Sequence, residues 1–345
     1  MKREIITGLS IITLLLSGCG AKEADAYTNA MRSIEAGDYV TAGSLLNKAM
    51  DEGTNHKLVY RAEGLAYLGK GDYTEAISSF GKALTQSNGI VEDTDIDISY
   101  YMAVAFYKAG QVDESIKTLE SIIALKPDYD TPYYLRGKIR LIGGDKDGAM
   151  SDYNKAIELA PNNFDHYIRI YEDLRDCGYD NDSNEYIEKA MSSSGKMNAY
   201  RKGMLEYYLG SYTDARNDLE DARKSEKGDN LLLYLGKTYE ALGDAGYAQN
   251  IYEEAIAANP HNGKIANQLA LLKMNQKDYQ GALEVINQAL EQGDCDGKQN
   301  LMYNRVAACE YMYDFKGAAS YIEEYLNNYP NDVSAQKEYV FLRNR

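Results

Sequence analysis

The side chains that could do chemistry are few and scattered. His56, His166 and His261 are the only histidines among 345 residues. None has a second histidine at helical i,i+4 spacing, so no zinc site forms and all three read as surface or turn residues. The run Asp93-Thr-Asp95-Ile-Asp97 spaces carboxylates like the opening of a calcium loop. Ile98, however, stands where that loop needs Gly, and Val104 where it needs a bidentate Glu. We therefore read Gly89 to Ile96 as an acidic, solvated loop. No Gly-rich phosphate loop and no nucleophile elbow occurs. The residues argue for no enzyme, no cofactor and no metal.

Composition narrows the function classes further. The chain has 37 Lys and Arg against 53 Asp and Glu, a net charge of −16, and no dense basic run to neutralise a phosphate backbone. That excludes an ordinary nucleic-acid binder. Tyr is abundant (32 residues), Trp is absent and only 5 prolines interrupt the chain, which favours helices.

The amino terminus reads as a targeting segment. Lys2 and Arg3 precede a mostly apolar run, Ile5 to Leu16, too short for a stable membrane span. It ends in Leu16-Ser17-Gly18-Cys19, which resembles the lipobox of bacterial lipoproteins. The resemblance implies cleavage after residue 18, a lipid on Cys19, and a chain held by its acyl chains on the extracytoplasmic side of the cell membrane. Residues 1–18 are then a signal peptide and 19–23 a tether. Of the other cysteines, Cys177, Cys295 and Cys309, the last two could pair in space or remain buried thiols.

Everything beyond is periodic. Gly64 and Tyr67 share one face of a first helix, and Ala76, Phe80 and Ala83 share one face of a second. Gly71 breaks the chain between them, and the small Gly64 and Ala76 let the two axes approach. A small residue marks the same place in nine segments: Ala42, Ala76, Ser115, Ala149, Ser183, Ala215, Ala248, Ala282 and Ala318. Their separations are 34, 39, 34, 34, 32, 33, 34 and 36 residues.

This pattern resembles the tetratricopeptide repeat (TPR). Arg140, Glu206 and Lys273 depart from it where a Tyr is usual, and Tyr325 replaces a late Ala. The resemblance implies an all-α, right-handed α-solenoid of about nine helix-turn-helix repeats over 24–330, closed by a capping helix over 331–345. On that helix Ala335, Tyr339 and Leu342 would face inward.

In the family the first helices line a concave groove that holds peptides. The resemblance places Tyr27, Arg61, Tyr100, Tyr107, Tyr134, Met197, Tyr200, Met204, Tyr207 and Tyr303 there, with Asp97, Val104, Thr131, Lys138 and Leu141 in the same sets. Tyr offers a rigid contact surface with a polar tip, and Met adapts to varied partners. The same rings could instead pack between repeats. The Lys and Asn that clamp a terminal carboxylate in the chaperone-binding subclass are missing, since Tyr100 and Val104, or Tyr27 and Met31, stand in those places. The expected function is a membrane-anchored scaffold for a protein or peptide. An accessory subunit of an envelope enzyme system, in cell-wall or surface-polymer assembly, is the alternative.

Overall fold

A computed structural model describes residues 25–192, 197–292, 297–330 and 332–345. Cys19, the segment before it and Cys295 lie outside the described residues. Within them the chain forms nineteen helices and no strand. Nine are first helices: α1 (Ala26–Glu35), α3 (His56–Lys70), α5 (Asp93–Lys108), α7 (Asp130–Ile142), α9 (Phe164–Asp176), α11 (Ala199–Tyr208), α13 (Asp229–Ala241), α15 (Gly263–Asn275) and α17 (Lys298–Tyr311). Each is followed by a second helix: α2 (Tyr39–Asp51), α4 (Tyr73–Thr85), α6 (Val112–Leu125), α8 (Lys146–Leu159), α10 (Asp180–Ser192), α12 (Tyr212–Arg223), α14 (Ala245–Ala258), α16 (Tyr279–Glu291) and α18 (Phe315–Asn328). The helix α19 (Val333–Arg343) follows alone. The fold is thus the expected all-α repeat array. It divides into two compact units, Met1–Ser183 and Asn184–Arg345, with the boundary inside α10.

The turn inside each pair follows from its sequence. A residue at positive φ ends the first helix, and the next N–H reaches back five residues to a helix carbonyl, as in Asp72 to Tyr67 (2.9 Å) and Asp314 to Cys309 (2.9 Å). In five pairs an Asp then caps the second helix: Asp38, Asp145, Asp244, Asp278 and Asp314 each accept the N–H three residues on, at 2.9 to 3.0 Å.

Packing follows the small-residue markers. All nine, from Ala42 to Ala318, are fully buried. Opposite them, first-helix glycines seat second-helix rings. A Cβ on Gly64 would come within 2.5 Å of Phe80, and one on Gly236 within 2.2 Å of Tyr252. Phe80, Tyr153, Tyr252 and Tyr325 are fully enclosed, and each such side chain contributes on the order of 2 kcal/mol of burial. Tyr325 keeps its hydroxyl satisfied by donating to Asp332 (2.7 Å) and accepting from Gln299 (2.9 Å).

Two expectations need correction. The link between α4 and α5 covers only 86–92, and Asp93 to Ile96 form the first turn of a 16-residue helix. The cause is a reciprocal cap: the Glu92 side chain takes the Asp95 N–H while Asp95 accepts the Glu92 N–H at 2.9 Å. His166 is no surface residue either, since it is 4% exposed inside the first unit. On α19, Ala335 and Leu342 are buried and Tyr339 partly so, as expected, while Val333, Val340 and Phe341 are exposed.

Candidate functional site: the first-helix row

In the first unit the first helices are tied to one another by polar side chains about one repeat apart. Arg61 on α3 bonds Asp97 on α5 at 2.5 Å, lies beside the Tyr27 hydroxyl of α1, and sits 5.8 Å from the ring centre of Tyr101. Lys57, also on α3, reaches Asp95 (2.7 Å) and Glu92 (3.3 Å). Burial pushes the Asp95 carboxyl up, but Lys57, Ser87 and the Glu92 N–H together hold it below its ordinary value. Asp93 pairs with Lys126. The three carboxylates of the DxDxD run therefore each hold a different cation, and among the described residues no group of three or more metal-ligating side chains exists.

A second knot joins α7 to α9. His166 meets Asp130 at 2.5 Å and stacks on Tyr134, with ring centres 5.3 Å apart. The buried Asp173 accepts from the Tyr134 hydroxyl (2.9 Å) and the Tyr153 hydroxyl (3.2 Å), and pairs with Lys138 (2.7 Å). Burial, with the Asp173 charge beside it, raises the Tyr134 hydroxyl far above its ordinary value, so the ring stays neutral. Inside the fourth repeat Arg136 grips Asp152 with two bonds (2.9 and 2.7 Å) and Arg140 adds a third (2.8 Å).

These contacts sort the sequence-derived candidates. Tyr27, Arg61, Tyr100 and Tyr107 are partly exposed along the first-helix row of the first unit, and Tyr27 meets Arg61 there. Tyr100 packs edge-on against Tyr101 at 5.6 Å, and burial raises its hydroxyl. Tyr134 is 6% exposed and committed to the His166 and Asp173 contacts. It holds repeats together, as does Val104, which packs in one cluster with Leu135 and Ile139 of the next repeat; Leu141 is buried as well. In the second unit Met204 is buried, while Met197, Tyr200, Tyr207 and Tyr303 remain partly exposed. Tyr207 joins a tyrosine cluster with Tyr208, Tyr212 and Tyr234 at 5.6 to 5.8 Å. Tyr303 leans edge-on against Tyr325 at 5.5 Å.

Tyr200 also lines an open polar cavity of about 580 Å³ with Lys227, Asp229, Asn230, Leu233 and Lys264. Asp229 is already engaged there by the amides of Asn259 (2.7 Å) and Asn262 (2.8 Å). The carboxylate and imidazole partners of these rows (Asp130, His166, Asp173, Asp229) were missed by the sequence reading. For Asp173 the signal is opposite charge at an offset of 35 or 36 residues, as in Arg61 with Asp97 and Lys138 with Asp173; Asp130 meets His166 at the same offset, and Asp229, held by two amides, has no such charge signal.

Buried small residues at the repeat spacing, a positive-φ break in each pair and cross-tied first helices define a helical-repeat protein of the tetratricopeptide class. Three family models, all described as tetratricopeptide repeat, match this chain. One covers 67–139 and 241–296, a second 131–163 and a third 200–246. Together they span more than half of it, and the chain is a tetratricopeptide-repeat protein. Among solved structures it is similar to yeast Tom70, with 15% identity, 92% of this chain and 81% of that one covered, and a TM-score of 0.55. It also matches a tetratricopeptide repeat protein from Parabacteroides merdae ATCC 43184, with 15% identity, coverage of 84% and 99%, and a TM-score of 0.44. At these identities the likeness to Tom70 is one of fold.

Proposed function

We propose that the protein is a non-catalytic scaffold that binds a protein or peptide through the first helices of its repeats. The observation that carries this reading is, in each unit by itself, a set of partly exposed rings on the first helices: Tyr27 and Tyr100 with Arg61 in the first unit, and Tyr200, Tyr207 and Tyr303 in the second. Rigid aromatics with polar tips, flanked by an Arg, are the side chains that dominate binding energy at interfaces. The repeats belong to a family of protein-binding scaffolds. In the first unit a photo-crosslinking residue at position 27 should capture a polypeptide and one at the second-helix position Glu158 should not; in the second unit the same holds for positions 200 and 303 against Glu284. Equal capture from both sets would reject the reading.

The Leu16-Ser17-Gly18-Cys19 sequence supports a lipid anchor on Cys19 and an extracytoplasmic membrane location. No helix among the described residues is long and apolar enough to cross a membrane. Cys19→Ser should abolish lipid labelling and leave the signal uncut. Labelling that persists would overturn the anchor without touching the scaffold reading.

A further inference from the structure

Two asparagines stand directly before glycines, in Asn88-Gly89 and Asn262-Gly263. In that pairing the glycine nitrogen can attack the asparagine side chain, because no Cβ hinders its approach. The structure treats the two pairs in opposite ways.

The first pair lies in the 86–92 link between α4 and α5, and both residues are exposed. The Gly89 N–H has no hydrogen-bond partner among the described residues, and Gly89 stands at φ 87° with no atom within 4 Å of the place a Cβ would take. The Asn88 side-chain oxygen accepts the Ile90 N–H at 3.0 Å, while its amide nitrogen, the leaving group, is unbonded. That donor sits on the oxygen where negative charge gathers once the side-chain carbonyl is attacked. In the second pair Asn262 caps α15. Its oxygen accepts the Ile265 N–H (3.1 Å) and its amide donates to Asp229 (2.8 Å). The Gly263 N–H is itself spent on the His261 carbonyl (2.9 Å), and Gly263 is buried. Attack there has to break these bonds first.

We infer that Asn88 is a site of spontaneous covalent modification, converting to aspartate and isoaspartate, and that the fold protects Asn262 from the same reaction. The Gly89 nitrogen gives its proton to water or hydroxide and bonds to the Asn88 Cγ. The Cγ–Nδ2 bond then breaks and ammonia leaves, closing a succinimide ring. Water adds to either ring carbonyl, and the ring C–N bond at that carbonyl breaks to leave an isoaspartyl or an aspartyl link. Gly89, Ile90 and Val91 of this link line a largely apolar cavity with Leu84 and Leu125, so the reaction sets a new carboxylate beside it. None of the first-helix rings takes part, so failure here leaves the scaffold reading intact.

The test incubates the full chain, folded at pH 7 and pH 9 and unfolded in guanidinium chloride. The peptides holding the two pairs are followed by mass spectrometry, with fragmentation that separates isoaspartate from aspartate. In the folded chain Asn88 should convert at least about tenfold faster than Asn262, whose hydrogen bonds have to open first. It should convert faster at pH 9 than at pH 7, because the attacking nitrogen must lose its proton. In guanidinium chloride the two rates should converge. Asn88→Gln should remove the reaction at that position, since the longer side chain would have to close a larger ring. Equal rates at the two pairs in the folded chain, or conversion at Asn88 to aspartate alone, would overturn the proposal. So would an Asn88 that keeps its amide in the folded chain and loses it only in guanidinium chloride.

Discussion

Glu206 should make the second unit lose stability as the pH rises through neutrality. It lies on α11, 6% exposed, with one carboxylate oxygen 3.2 Å from Lys202 and the other, Oε2, enclosed without a hydrogen-bond partner. Lys202 also holds Asp218 of α12 at 2.6 Å, so one ammonium serves two carboxylates. The corresponding positions of the fourth repeat, Arg136, Arg140 and Asp152, set two cations on one carboxylate. Burial first, then the Asp218 carboxyl, push Glu206 from 4.5 up to about 7 despite Lys202. A carboxyl whose folded pKa is raised contributes stability that is complete below its unfolded value. That contribution is lost as the pH climbs through the folded value. The window is therefore about pH 4.5 to 7. With each pKa unit worth ~1.4 kcal/mol, the loss has an upper bound of about 3.5 kcal/mol, and solvent screening leaves on the order of 1–3 kcal/mol. Urea unfolding at pH 5 and pH 8, for the wild type and Glu206→Gln, reads it directly. Taking the difference between the two proteins cancels the titrating groups that do not touch Glu206, including Glu310, which burial and Glu338 also push up to about 7. The variant should match the wild type at pH 5 and exceed it at pH 8, with α11 and α12 showing slower amide exchange. Parallel pH profiles, or a Gln variant weaker at pH 8, would refute the reasoning.

Other substitutions test the packing and the turns. Tyr313→Gly should raise stability by roughly 1 kcal/mol, because glycine takes the left-handed conformation freely; calorimetry showing a fall would mean the ring is a packing element. Gly236→Ala should cost about 1–3 kcal/mol, since the new Cβ would lie 2.2 Å from the enclosed Tyr252 ring, and a neutral result in denaturant titration would show that α13 and α14 can separate cheaply. Millimolar calcium should leave the melting temperature unchanged, because Asp93, Asp95 and Asp97 already hold Lys126, Lys57 and Arg61. A calcium-dependent rise that vanishes in Asp95→Ala would reverse that conclusion.

The fold was legible because a repeat of helix pairs writes the same constraint many times over. Ser115 and Ser183 sit in the marker column with seven alanines, and all are fully buried because the column needs small volume rather than apolarity. Ser115 satisfies its hydroxyl on the Ala103 carbonyl at 2.7 Å. The start of α5 was misread because an Asp-rich run looks like a solvated loop until its capping partner, Glu92, is counted. The row of first helices was only half legible. Helical spacing identifies which residues share a face, and it placed Tyr27, Arg61 and Tyr100 on the row. It does not say how deep each lies, which depends on the neighbouring repeat. Tyr134 and Tyr100 occupy the same column, yet only Tyr134 is locked by an Asp and a His from α9.

That contrast bears on how the protein holds together. The small buried markers recur in all nine repeats, and glycine seats under second-helix side chains in four of them, at Gly64, Gly137, Gly203 and Gly236. The polar ties do not recur in this way. Between α3 and α5 two cations reach forward to carboxylates; between α7 and α9 the polarity is mixed, with Asp130 reaching forward to His166 and Lys138 to Asp173. Inside the sixth repeat the tie carries a surplus carboxylate. In a repeat array stability is close to a sum over neighbouring interfaces, so differences of this kind make some interfaces open before others. Unfolding should therefore proceed in steps rather than in one transition. The repeat with the surplus carboxylate is the one whose place in that order should change with pH, and Glu206→Gln should remove that dependence while leaving the order at pH 5 as it was.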